Sequence, residues 1–285
     1  MILGEYTSPQ IVVDTGIPQG STLSPILFLL FIGTLIPLIH ERNVSAGGFV
    51  DDTNILTWSD STELNCRTLE RVHQICEDWA RKHGAKFAPD KYSLIHFSQT
   101  RSRHDMQACI QIQGHETQPS PSIRLLGLWL DPKLSWGPHV QKIQAKARQN
   151  MESLNRLTAS TWGATFSQAR QLYAAIVRLV LTYSSQVWAA LKKNGTISKT
   201  LVEPLHRIQT ECLRKVTGAY KSTNHRALEH ETEFLPMDIY LEQLRIQYAG
   251  LSHHYRAQEA IDTACTNIER QLCSCRHRQR IQRVT

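Results

Sequence analysis

The sequence lacks any apolar run of the roughly 20 residues that a membrane span requires. Its nearest candidate, Ile26 to Ile39, is interrupted by Gly33, Thr34 and Pro37 and ends at His40-Glu41-Arg42. That run reads instead as a helix buried on every face by protein. No basic segment followed by an apolar one is visible near the N-terminus, so no secretory signal is read. Paired Cys-x-x-Cys spacings are also missing. The seven cysteines are odd in number and scattered, at Cys66, Cys76, Cys109, Cys212, Cys265, Cys273 and Cys275. This excludes a secreted disulfide framework and points to a reducing compartment. Only Cys265, Cys273, Cys275 and His277 cluster, and their spacing suits ordinary thiols at a helix end better than a tetrahedral zinc site. No internal repeat is evident. After Glu269 acidic residues run out, while Arg270, Arg276, Arg278, Arg280 and Arg283 continue. Such an end is either solvated or in contact with phosphates.

What is there is ample for a folded protein. The chain has 285 residues, 41% of them hydrophobic, enough for one large domain or two modest ones with a substantial core. A formal charge of +7 favours a polyanionic partner such as nucleic acid. The most informative segment is Gly47-Gly48-Phe49-Val50-Asp51-Asp52-Thr53-Asn54-Ile55-Leu56. Apolar flanks around Asp51 and Asp52 predict two short strands, near residues 46–50 and 53–58, joined by an acidic turn. Adjacent carboxylates repel unless a cation or bulk water relieves them, so the turn is either a divalent-metal site or a solvated tip.

Upstream lies Thr15-Gly16-Ile17-Pro18-Gln19-Gly20-Ser21-Thr22-Leu23-Ser24-Pro25. Its glycines let a backbone approach a ligand, Gln19 can read an amide or base edge, and Ser24-Pro25 suits a helix cap and first turn. A helix is expected from about residue 25 to 42. A long amphipathic helix follows over residues 61–83, with Leu64, Leu69, Val72, Ile75, Cys76 and Trp79 as its apolar stripe and Gly84 as its stop. Strands are expected at residues 93–97, 109–112 and 123–130, with loops at 100–105 and 114–122. From Ser135 onward helical periodicity dominates, with helices expected around residues 140–154, 172–183, 199–216 and 237–256.

Taken together, the Gly16 loop and the Phe49-Val50-Asp51-Asp52 turn resemble the palm of a reverse transcriptase. The likeness continues in register. Trp79 to Lys91 resembles the helix and loop that follow the acidic hairpin, and residues 123–131 resemble the primer-grip strand. Leu134-Ser135-Trp136-Gly137-Pro138-His139-Val140 resembles the entry to the thumb. Over roughly residues 10–255 the chain is similar to the polymerases of non-LTR (LINE-type) retrotransposons, most of all to fungal elements.

The resemblance implies an α+β fold: a palm of antiparallel sheet packed by helices over residues 1–134, with the fingers largely missing. An α-helical thumb over 135–260 and a basic tail over 261–285 would follow. It also implies RNA-directed DNA polymerisation with Mg²⁺, or Mn²⁺ as a substitute, acting on an RNA template, a DNA primer and deoxynucleoside triphosphates. The implied place of action is the nucleus, with no membrane involved, and no oligomeric state follows. Nucleotidyl transfer of this kind uses two divalent ions about 4 Å apart. By resemblance, Asp51 ligates metal, with Asp52 its less direct neighbour. Gly16, Pro18, Gln19, Gly20 and Ser21 support the templating base and incoming sugar, beside Phe49 and Val50. Lys91 sits where the family has a lysine that donates a proton or meets a phosphate. Leu126 and Gly127 position the primer end, while Trp136 and His139 pack or cap the thumb.

One element of the family pattern is not found. A third metal-binding acid is expected on an apolar strand upstream of the Gly16 loop, and only Glu5 and Asp14 precede that loop, neither in such a context. The sequence therefore reads as a polymerase that begins inside the palm, and the chain by itself is expected to be inactive or nearly so. The alternatives are a non-catalytic nucleic-acid-binding remnant and a decayed insertion whose apolar helix, left uncovered, aggregates.

Overall fold

The structure, a computed structural model, describes residues 2–3, 6–7, 16, 20–98, 104–156, 163–190 and 196–252. Pro18, Gln19, Glu5, Asp14 and the tail with Cys265, Cys273, Cys275 and His277 lie outside them. The chain divides into two compact units, Met1–Ile123 and Arg124–Thr285.

The first unit opens with two short paired strands, β1 (Ile2–Leu3) and β2 (Tyr6–Thr7). The apolar run then forms two helices, α1 (Ser24–Ile32) and α2 (Ile36–Ile39), where a single helix was expected. Gly33, Thr34 and Leu35 separate them, and Pro37 occupies the first turn of α2, where its missing N–H costs nothing. The Thr34 hydroxyl accepts the Trp79 indole N–H at 3.0 Å, which seats the break on the helix that follows. Ser24 is the first residue of α1 and Leu23 its cap, with no side-chain capping bond, so the expected Ser24 cap is not formed. Nor is α1 buried all round. Ile26, Leu27, Leu29 and Leu30 are exposed, Leu30 by 69%, and Ile32 is the one buried residue of α1.

Strands β3 (Val44–Phe49) and β4 (Asp52–Thr57) form the antiparallel hairpin, with Phe49 opposite Asp52. Next comes α3 (Thr62–His83). The Ser61 hydroxyl accepts the Leu64 N–H, and Gly84 ends the helix in the left-handed conformation. Val72, Cys76, Trp79 and Ala80 pack on Leu35, Ile39 and Val44. Cys66 replaces Leu64 in the stripe, since Leu64 is exposed while Cys66 packs with Leu94, Ile110 and Ile112. The expected strand at residues 93–97 is reduced to one parallel bridge between Leu94 and Pro119. Its neighbour His96 is turned inward, Nε2 lying 2.7 Å from the Ala108 carbonyl. Strand β5 (Ile110–Ile112) pairs with β6 (His115–Thr117), which lies in a stretch expected to be loop, because Gln113-Gly114 turns the chain with both residues at positive φ.

From the last residue of the first unit onward, β7 (Ile123–Leu125) and β8 (Leu128–Leu130) pair across Leu126-Gly127, so the expected continuous strand is a hairpin. Helices follow: α4 (Gly137–Asn155), α5 (Phe166–Leu172), a π-helical turn at Tyr173–Arg178, then α6 (Leu179–Thr182), α7 (Ser185–Trp188) and α8 (Lys199–Thr217). Helices α9 (His225–Thr232) and α10 (Met237–Ser252) complete the described residues. Helix α9 was not foreseen, being a short segment with few apolar residues, capped by Asn224. One core joins these helices, with Ile143, Ala147, Met151, Tyr173, Val177, Leu205, Ile208, Leu213 and Met237 inside it. The fold is thus mixed α+β, mostly helical, with four separate two-stranded sheets in place of one palm sheet among the described residues.

Candidate functional site

The acidic hairpin is held at its base and free at its tip. At the base Val44 is buried, and Glu41 just before it makes a double ion pair with Arg71 of α3, at 2.6 and 2.7 Å. Those hydrogen bonds hold the Glu41 carboxyl below its usual pKa. Toward the tip β3 runs out of cover: Gly47, Gly48 and Phe49 are exposed, as are Val50, Asp51 and Asp52. Alternation along β4 turns Thr53, Ile55 and Thr57 inward and Asp52, Asn54 and Leu56 outward.

Val50 and Asp51 form the turn itself, while Asp52 opens the ladder of β4. Val50 has φ +55°, a left-handed conformation that a β-branched residue adopts only under strain of about 1–3 kcal/mol. Glycine or asparagine is the usual occupant of such a turn. The structure therefore brings Phe49, Val50, Asp51 and Asp52 together on one exposed, strained tip. Two adjacent exposed carboxylates are hard oxygen donors of the kind that suits Mg²⁺, which keeps several waters and needs only one or two protein carboxylates. They fit one such ion. Among the described residues no group of three or more His, Cys, Asp or Glu side chains gathers to hold a metal.

The other expected residues are more dispersed. Gly16 and Gly20 are exposed with φ of +100° and +93°, and a Cβ at either would meet nothing within 4 Å. Their glycines serve backbone conformation. Ser21 caps locally, its hydroxyl accepting the Leu23 N–H at 3.3 Å. Lys91 ends a short 3₁₀ turn, Pro89–Lys91, and is exposed. Within the described residues no hydrogen bond or ion pair links it to the acidic turn.

Leu126 and Gly127 lie in the second unit, at the tip of the β7–β8 hairpin, with φ of +46° and +88°. The loop after β8 is organised by Asp131, which the sequence marks only as the end of a strand. Its carboxylate accepts the N–H groups of Lys133 at 3.3 Å and Trp136 at 3.1 Å. Burial pushes this carboxyl up, but the hydrogen bonds from Ser135, Trp136 and Lys133 outweigh it and leave the pKa below its usual value. The signal for this role was an Asp-Pro-Lys turn ahead of a helix. Trp136 caps α4 in a left-handed conformation and His139 is fully buried, so both serve packing.

Comparison with known proteins converges on one class. Residues 3–130 match the family model described as reverse transcriptase (RNA-dependent DNA polymerase). The chain is 26% identical over 237 residues to a Drosophila melanogaster protein named "Probable RNA-directed DNA polymerase from transposon BS", covering 81% of this chain and 26% of that protein. To the RNA-directed DNA polymerase from mobile element jockey of the same fly it is 23% identical over 241 residues, covering 83% of this chain and 25% of that protein. A retrovirus-related Pol polyprotein from type-1 retrotransposable element R1 of Nasonia vitripennis is 21% identical over 265 residues, with 92% of this chain and 77% of that protein covered. The chain spans about a quarter of the length of the first two relatives. No solved structure matches it.

Proposed function

We propose, from the similarity of residues 3–130 to reverse transcriptases and of most of the chain to polymerases of non-LTR retrotransposons, that the chain carries the metal-binding turn and the duplex-holding part of an RNA-directed DNA polymerase. The observation that carries this reading is the exposed turn with Asp51 and Asp52 at its tip, within the family-matched residues. Asp51 and Asp52 would hold Mg²⁺. When bound, that ion supplies charge neutralisation for a triphosphate and activation of a primer hydroxyl.

The chain's own residues do the rest. Phe49 and Val50 offer an apolar, strained shoulder beside the acids, where a nucleotide is held against the turn. The loop Gly16, Pro18, Gln19, Gly20 and Ser21 supports the templating base, and Lys91 is a candidate phosphate contact. Leu126 and Gly127 meet the primer end. Residues 1–134 form the palm portion and the helices from α4 onward the thumb, whose basic residues grip template phosphates.

The two carboxylates gathered among the described residues are fewer than a pair of ions needs, so the chain alone is expected to hold a primer–template without extending it. The test is primer extension on an RNA template by the purified chain with Mg²⁺ and then Mn²⁺, beside Asp51→Asn. No extension by a folded chain that binds the duplex is expected. Extension that Asp51→Asn abolishes would show that a further carboxylate completes the site, overturning the inactivity while keeping the role of Asp51.

A further inference from the structure

The turn joining β7 to β8 has both central residues in the left-handed region, the mirrored hairpin geometry that Asn-Gly adopts most easily. Here Leu126 takes the first position. A leucine at φ +46° is strained, and with 45% of its surface exposed its own burial offsets little of that cost. Something else must hold the turn.

That contact comes from Tyr183, between α6 and α7. Its hydroxyl donates to the Leu126 carbonyl at 3.0 Å. Its ring lies so close to Gly127 that a Cβ there would stand 2.9 Å from the ring Cε1 atom. Glycine at 127 is thus required twice, by its φ of +88° and by the tyrosine. Tyr183 is itself fixed by its backbone, whose carbonyl accepts the Trp188 indole N–H at 2.8 Å. Trp188 is buried, its ring centred 5.5 Å from that of His139. The circuit closes on the same hairpin, because His139 Nδ1 accepts the Trp129 N–H of β8 at 3.4 Å. Yet the Tyr183 side chain adds little to the core, since the residue is 51% exposed.

We infer that Tyr183 is a positioning residue for the primer terminus, acting through Leu126-Gly127: its hydroxyl and ring hold a strained turn in the one shape that presents the turn backbone to the nucleic acid. The inference rests on the reading of Leu126 and Gly127 as the primer contact. Tyr183→Phe is the chosen variant, because it keeps the ring against Gly127 and removes only the hydroxyl.

Two readouts separate the possibilities. The first is amide hydrogen exchange at residues 126–128 in the free chain. The second is the yield of photocrosslinks, mapped by peptide mass spectrometry, from a thiothymidine at the primer terminus. Loss of one net hydrogen bond predicts exchange faster by about fivefold and a similar fall in crosslinks to the turn, with duplex affinity changed by less than about twofold. Unchanged exchange in Tyr183→Phe would overturn the clamp. Faster exchange, with wild-type crosslinks mapping away from residues 126–127, would overturn the primer role while leaving a merely structural clamp.

Discussion

At the scale of single residues, two of the chain's strained backbone positions sit at hairpin tips. Val50 and Leu126 are branched side chains in left-handed turns, and each stands in a segment read from the sequence as functional. Neither conformation is legible in the sequence, because a run of apolar residues gives no sign of which one must turn. Asp51 and Asp52 are legible, since adjacent acids between two apolar flanks need a cation or bulk water to relieve their repulsion. Tyr183 is not: it meets a turn 57 positions away, a distance over which periodicity carries no information. His139 offers a residue-scale prediction. Buried between Trp136 and Trp188, it has its pKa pushed below the usual 6.5 by desolvation, so folding favours the neutral ring. The unfolded chain then binds more protons, and the stabilisation is complete above the unfolded pKa and is lost as pH falls below it. Urea midpoints measured from about pH 7.5 to about pH 5.5 should fall more steeply for the wild type than for His139→Gln. Equal slopes would mean that His139 is not held neutral. The comparison between variants is needed because His73, half-buried, shifts in the same direction.

At the scale of elements, patterns with a strong period and clear punctuation translate closely into structure. Helix α3 begins one residue after its Ser61 cap and stops at Gly84, as that stop signal implies, and α8 likewise ends at a glycine, Gly218. Short strands translate less well. Residues 123–130 look like one strand because Leu125 and Leu128 continue an apolar run, yet the backbone folds back at Leu126-Gly127. Uniform apolarity also misleads at α1. Without polar residues to mark an outer face, the segment reads as buried, whereas Ile26, Leu27, Leu29 and Leu30 are exposed. That surface makes the chain prone to self-association. Replacing Leu30 by Lys should reduce light scattering at raised protein concentration, while leaving the unfolding free energy within about 0.5 kcal/mol of wild type. Unchanged scattering would place the cause of any association elsewhere.

At the scale of the whole molecule, two compact units carry different parts of the proposed task, the acidic turn in the first and the strained hairpin with its helical support in the second. The similarity to reverse transcriptases is legible because several weak motifs occur in one order, and the matched residues 3–130 include the loop, the turn and the hairpin strands. The third metal acid is not legible, and Glu5 and Asp14 lie outside the described residues. With a formal charge of +7, the proposed hold on nucleic acid should be dominated by phosphates. The most direct measurement is therefore the affinity of the purified chain for an RNA–DNA primer–template across a series of salt concentrations. The account predicts a linear fall of the logarithm of affinity with the logarithm of salt, with the same slope for duplexes of unrelated sequence. Binding indifferent to salt, or no binding by a cooperatively folded chain, would contradict it.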